Sequence, residues 1–204
     1  MTHYFLSPKD SRHVAVAFFP SQLPPSYALL DPVPAEVLTL DALPFDLVLK
    51  QVTFSKHGPE DSEDLSGLRH PWADYQPNTL AWPVVSARLR ALIDRHACGR
   101  EGQEWVRVTV RPATGPGRSY YLLRFTYQPD VLNEAASVFH PVANRPALLV
   151  KPVFAPEKIA GLSVFGYPST SWQIPSGLCI SREVKEAAKQ EGLEGLHFED
   201  LRIF

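Results

Sequence analysis

Apolar and polar positions alternate most regularly in the middle of the chain. The run Trp105 to Arg111 reads Trp-Val-Arg-Val-Thr-Val-Arg. It puts Val106, Val108 and Val110 on one face of a strand, since successive side chains of an extended backbone point to opposite sides. Pro112 to Gly117 interrupts the pattern and Tyr120 to Tyr127 resumes it. Two such runs around a Gly-Pro-Gly turn predict an antiparallel hairpin. Two shorter β-rich runs, His13 to Phe19 and Phe45 to Phe54, predict strands nearer the N-terminus.

The period changes after two serines. Ser86 precedes a segment in which Leu89, Leu92, Ile93 and His96 share one stripe, and Ser181 precedes one in which Val184, Ala187 and Ala188 do so. Apolar residues three and four apart predict amphipathic helices. A serine at the N-cap accepts a hydrogen bond from an amide that has no partner inside the helix. Gly192 stands where a left-handed residue ends the second helix. Neither start carries the glutamate of a capping box, so each rests on its serine and the pattern. The two segments also resemble each other. Val84-Val85-Ser86 and Cys179-Ile180-Ser181 each lead from an apolar strand end into a basic helix, and each helix is followed by an alternating strand, from Trp105 and from Leu196. They read as two copies of one strand–helix–strand unit.

Two segments break the pattern. Pro20, Pro24, Pro25, Pro32 and Pro34 crowd a short stretch, and proline fixes φ and removes a ladder donor, so this stretch is expected to be an ordered, irregular connection. Gly58 to Gly67 holds Glu60, Asp61, Glu63 and Asp64 between glycines and a proline. Such a density of carboxylates cannot form a core, and the segment reads as a solvated loop.

Composition adds limits. The 204 residues suit one domain, or one with an appendage, and 45% hydrophobic with 21% charged residues is ordinary for a globular chain. A formal net charge of −2 without any basic block argues against nucleic acid as a partner. Two cysteines, Cys98 and Cys179, make neither a disulfide framework nor a zinc motif. The N-terminal residues lack the basic start and apolar run of a signal peptide, and Val14 to Phe19 is too short to span a bilayer. A cytoplasmic location, with no membrane partner, is the expectation.

Catalytic motifs are not found. The seven histidines include no pair at helical ligand spacing, and no nucleophile elbow, phosphate-binding loop or calcium loop occurs. Ser86 and Ser181 are explained by capping, and single cysteines without a local partner are more often inert thiols than nucleophiles. No catalytic residue, cofactor or metal ligand is assigned. What remains is surface: tryptophan and tyrosine in proline-broken segments such as His70 to Tyr75 suit a protein–protein interface.

The run from Cys179 to Phe198, with its apolar pair, serine, basic helix and Gly192-Leu193-Glu194-Gly195-Leu196-His197-Phe198, resembles the closing motif of immunity protein family eleven of bacterial polymorphic-toxin systems. Val84-Val85-Ser86-Ala87-Arg88-Leu89 is similar to an earlier element of that family, and Tyr120 to Leu123 with Asp130-Val131-Leu132 to its central strand and following aspartate. The likeness covers roughly residues 78 to 203. It implies an immunity protein that binds and neutralises a cognate toxin stoichiometrically, and it carries over no binding residue.

The expectation is therefore an α+β fold, a mixed or antiparallel sheet with two or three amphipathic helices packed on it. Residues 1–77 form a proline-rich strand and loop region packed on an immunity-like domain, 78–204. The partner is a toxin protein, and the candidate contact residues, chosen by exposure and composition, are Glu60, Asp61, Glu63 and Asp64 with Trp72 and Tyr75. The rival readings are an enzyme whose site is assembled from distant residues and an effector-loading adaptor of a secretion system.

Overall fold

The computed structural model describes residues 2–9, 13–19, 39–142, 145–169 and 172–204. The proline-rich stretch from Pro20 to Pro34 lies outside the described residues. The alternating central run forms β6 (Gln103–Pro112) and β7 (Arg118–Phe125), paired antiparallel from Gln103 opposite Phe125 to Val110 opposite Arg118. Val106, Val108 and Val110 are buried together, as their alternation predicts. On one side β7 pairs with β5 (Val84–Ser86); on the other β6 runs parallel to β3 (Leu47–Ser55), which is antiparallel to β2 (His13–Phe18).

The acidic segment departs from its reading as a loop. Gly58–Ser62 is a strand, β4, antiparallel to the end of β3 with Glu60 opposite Thr53 and Asp61 opposite Val52. An edge strand needs backbone pairing on one side and no buried face, so carboxylates are compatible with it and keep the edge from pairing with other chains.

The expected single sheet is also divided. A second, all-antiparallel sheet has the order β10 (Val164–Gly166), β11 (Leu178–Ser181), β1 (His3–Pro8), β12 (Leu196–Asp200). A hairpin of β8 (Val138–Val142) and β9 (Arg145–Lys151) pairs only with itself among the described strands. Helix α1 (Ala87–His96) lies on β5 and β7, α3 (Arg182–Gln190) lies on β11 and β1, and the two helices touch. Leu89, Leu92 and Ile93 of α1 and Val184 and Ala188 of α3 share one core with Leu123, Phe125, Tyr4, Leu6 and Ile180. A short α2 (Pro156–Ile159) closes the far face of the second sheet over Phe154, Phe165 and Cys179. The chain is thus α+β, with mixed and antiparallel sheets.

The division into two sheets follows from the repeat. In the first unit, the strand before the helix (β5) and the strand after it (β6) both pair antiparallel with β7; in the second, β11 and β12 both pair antiparallel with β1. The registers coincide. Ser86 faces Tyr120 and Ser181 faces His3, while Trp105 faces Leu123 and Phe198 faces Leu6. Both serines cap as expected, Ser86 accepting from the Leu89 amide and Ser181 from the Val184 amide, at nearly equal backbone angles (φ −69°, ψ 165° and φ −71°, ψ 165°). Four residues past each serine a cation lies over two rings: Arg90 over Tyr121 and Trp105, Lys185 over Tyr4 and Phe198. Tyr120 Oη donates to the Ala73 carbonyl at 2.9 Å, and His3 Nε2 donates to the Leu162 carbonyl at 2.9 Å. The second unit is contiguous except for its central strand, which comes from residues 3–8.

Gly192, at φ 61°, ends α3 as predicted, its amide bonding to Lys189 and that of Leu193 to Ala188, the double bond of a left-handed helix terminus. Beyond it the chain meets the buried Asp74. The Asp74 carboxylate accepts from Ser86 Oγ at 2.5 Å, the Glu194 amide at 2.8 Å and Arg88 Nη1 at 3.4 Å, while the Asp74 amide donates to the Glu194 carbonyl at 2.9 Å. One residue thereby ties the first unit's helix start to the second unit's helix exit. Asp74→Ala leaves a guanidinium and two donors short of a partner, and is expected to lower unfolding free energy by about 3 kcal/mol. Ser181→Ala should lose about 1 kcal/mol, the ordinary value of a cap. Ser86→Ala should fall between them, because it strips a donor from Asp74 as well. Urea denaturation of the three variants tests that order; equal losses would contradict the role given to Asp74.

Candidate functional site

The His3 ring is buried and holds its Nε2–H on Leu162; burial lowers its pKa, against the Leu162 bond and the Glu183 charge, which raise it. Cys179 is fully buried and its thiol is pushed well above the ordinary value by desolvation, so it is no nucleophile in the folded chain; Cys98 is exposed. Burial of Glu101 acts to raise its pKa, but the amides of Cys98 and Ser163 bond its carboxylate and hold it below the ordinary glutamate value. That carboxylate links the turn after α1 to β10. Among the described residues no group of three or more His, Cys, Asp or Glu side chains is placed to hold a metal ion.

The sequence-predicted contact residues separate into three environments. Glu60, Asp61, Glu63 and Asp64 are all exposed, on β4 and the turn that follows. Asp61 is paired with Lys50 at 2.7 Å, which holds its carboxyl below the usual range, and Asp64 accepts from the Ser66 amide at 2.9 Å. Tyr75 is withdrawn from the surface altogether. It is 1% exposed, forms a bridge with Val85 and belongs to the core between the sheets, so the folded protein cannot offer it to a partner. Trp72 and Tyr75 part company because Trp72 packs partly buried against the core of the first sheet, whereas Tyr75 enters the core between the sheets.

Trp72 is half-buried in a cleft of about 500 Å³ lined by Arg69, His70, Arg88, Arg118 and Tyr120, with Asp74 and Ser86 also on its wall. Its ring stacks on Tyr120 at 6.3 Å, and the Arg118 guanidinium lies 4.4 Å from its centre. None of the four acidic candidates lines this cleft.

The sequence reading passed over the hairpin of β8 and β9. Val138, Phe139, Leu148 and Val150 are between 41% and 53% exposed there. At the hairpin's base a groove of about 350 Å³ is lined by Phe5, Val150, Phe154 and Tyr167, with Glu199, Asp200 and Arg202 at its edge. An isolated two-stranded hairpin is marginal in water, and large apolar side chains left exposed on one suit an interaction surface. By register Phe139 shares a face with Leu149 and Leu148 with His140, so both faces of the hairpin carry an exposed apolar side chain. The available signal was a pair of short apolar runs, Val138-Phe139 and Ala147 to Val150, flanking Asn144-Arg145-Pro146.

Compared with known proteins, the chain matches the model of the immunity protein family (Imm11) over residues 23–202. The match begins well upstream of residue 78, where the likeness read from the sequence started, and takes in β3, β4 and the Trp72 segment. No curated protein matches the chain.

The buried ring at position 3 generates a pH dependence. The folded chain favours neutral His3, so the unfolded chain binds a proton that the folded one excludes. The stability this contributes is complete above the unfolded value of about 6.5 and is lost as pH falls from there through the folded value. Urea midpoints at pH 7.5 and pH 5.5 are expected to differ more for the wild type than for His3→Gln. An identical drop in both would place the effect elsewhere.

Proposed function

The chain belongs to the Imm11 immunity protein family, and from that membership we propose that it binds a cognate bacterial toxin in the cytoplasm and blocks it as a one-to-one complex. Neither nucleic acid nor a membrane enters this reading, and the chemistry is occlusion, with no bond made or broken. The observation that carries it is the free-standing hairpin, whose exposed Phe139 and Leu148 sit on adjacent strands with His140 directly opposite Leu148. Large apolar side chains held outward on a two-stranded arm lose water on contact with a partner, and that desolvation favours the complex. The groove at its base offers rings and both signs of charge beside that arm, the mixture of apolar centre and polar rim that a specific interface uses.

The experiment is a growth test. The neighbouring gene is expressed in a naive bacterial host with and without this chain, and viability and co-purification are scored. Rescue from a lethal neighbour with a tight one-to-one complex is expected. The double variant Phe139→Asp, Leu148→Asp should remain folded and soluble but lose rescue, whereas charge reversal of Glu60, Asp61, Glu63 and Asp64 tests the acidic strip as a second contact. A toxin that kills despite soluble chain, or binding to several effectors alike, would sink the immunity reading for that pair.

A further inference from the structure

The two repeat units present equivalent clefts at the starts of α1 and α3, and the difference between them is informative. Backbone bonds set the correspondence. The Ser86 amide donates to the Asp74 carbonyl and the Ser181 amide to the Ser163 carbonyl; the ring of Tyr120 reaches Ala73 as the ring of His3 reaches Leu162. Trp72 therefore corresponds to Gly161, and Arg88 to Glu183. The second cleft, about 290 Å³, is built by the same fold with glycine and glutamate where the first has tryptophan and arginine. Packing of the unit does not require Trp72 or a cluster of guanidiniums.

Of the guanidiniums lining the first cleft, Arg88 is ion-paired and Arg69 and Arg118 are not; outside it Arg100, Arg107, Arg182 and Arg202 likewise form no ion pair among the described residues. Arg88, Arg90, Arg95, Arg111 and Arg124 each reach a carboxylate. Among the described residues no carboxylate lies within ion-pair distance of Arg69 or Arg118, though both are exposed and line the cleft. Two acids line the cleft: Asp74 is consumed by Ser86, Arg88 and the Glu194 amide, and the exposed Glu194 carboxylate forms no ion pair with Arg69 or Arg118 among the described residues. Trp72 is held by Tyr120, and Arg118 lies over its ring. What that leaves open is the hydrogen-bonding edge of Arg118, a planar fork matched to an oxyanion.

We propose that this cleft receives an acidic side chain of the bound toxin on Arg118 and Arg69, with Trp72 as the platform that holds Arg118 in place. The assignment rests on the immunity reading above and names the chemistry of the partner. A protein source fits an open cleft whose wall combines tryptophan, tyrosine and arginine, the residues that dominate interface energies. A guanidinium already stacked on an aromatic ring loses little freedom on binding a carboxylate.

Two measurements test it. First, toxin affinity is compared for wild type, Arg118→Ala and Arg69→Ala at low and high salt. Arg118→Ala is expected to weaken binding by about tenfold and to reduce the salt dependence, with an unchanged melting temperature because the side chain is exposed. Second, a hexaglutamate peptide and inorganic phosphate are titrated separately against tryptophan fluorescence. The peptide should change the signal in wild type and not in Trp72→Phe or Arg118→Ala. If the toxin binds wild type and Arg118→Ala equally, the cleft assignment fails and the immunity reading stands. If wild type binds no toxin, the immunity reading fails, and the peptide titration alone decides the cleft. A response to phosphate with none to the peptide overturns the acidic-protein assignment in favour of a phosphate ligand. Silence to both overturns the site.

Discussion

A buried carboxylate must find donors, and Asp74 finds them on both halves of the molecule. It takes the hydroxyl of Ser86, a guanidinium proton of Arg88 and the amide of Glu194, which lies 120 residues away along the chain. Its own amide returns a bond to the Glu194 carbonyl, and its carbonyl accepts from Ser86. Around it the segment is fixed at every step. Ala73 accepts from Tyr120, and the buried Gln76 side chain bonds both the Ala73 amide and the Ala15 carbonyl. Gly195, at φ 74°, approaches so closely that a Cβ there would stand 2.5 Å from that of Ala73. The start of α1, the exit of α3 and the wall of the Trp72 cleft are all referred to this crossing.

On that crossing stand two copies of one device. Each copy uses a central strand that pairs antiparallel with the strands before and after a serine-capped helix, and each clamps a cation over rings of the central and following strands. The copies diverge where the fold leaves freedom. One cap serine reaches an aspartate and the other has Glu183 beside it, whose pKa is lowered by its own amide and then by Ser181. One cleft carries Trp72 and free guanidiniums, while its twin carries Gly161. The repeated unit supplies the frame, and the two copies differ at positions its packing leaves free.

The exposed apolar residues lie away from this frame, on the hairpin of β8 and β9. A strand inside a sheet has its two faces committed to cores, as Leu122 and Leu123 show by entering different ones. A hairpin that pairs only with itself has both faces free, so it can present Phe139 and Leu148 without loss to either core. Rigid sheets hold an arm and a cleft, and a partner covering either removes from water what folding leaves exposed.

Much of the frame was legible from the chain alone, since strand alternation, helical stripes, serine caps and the glycine after α3 are local patterns that backbone geometry dictates within a few residues. The family resemblance rested on the same caps, glycines and apolar pairs. The acidic segment was misread because an edge strand carries no buried face to leave a pattern. Tyr75 was misplaced because exposure is a property of what packs against a residue, and its cover comes from both helices and both sheets. Which strand completes the second unit, which carboxylate meets Ser86 and which guanidiniums stay unpaired were decided only in three dimensions. The strand that completes the second unit lies more than a hundred residues from the rest of it, and Asp74 lies twelve residues before Ser86, beyond any helical or strand period, so no local periodicity records either contact.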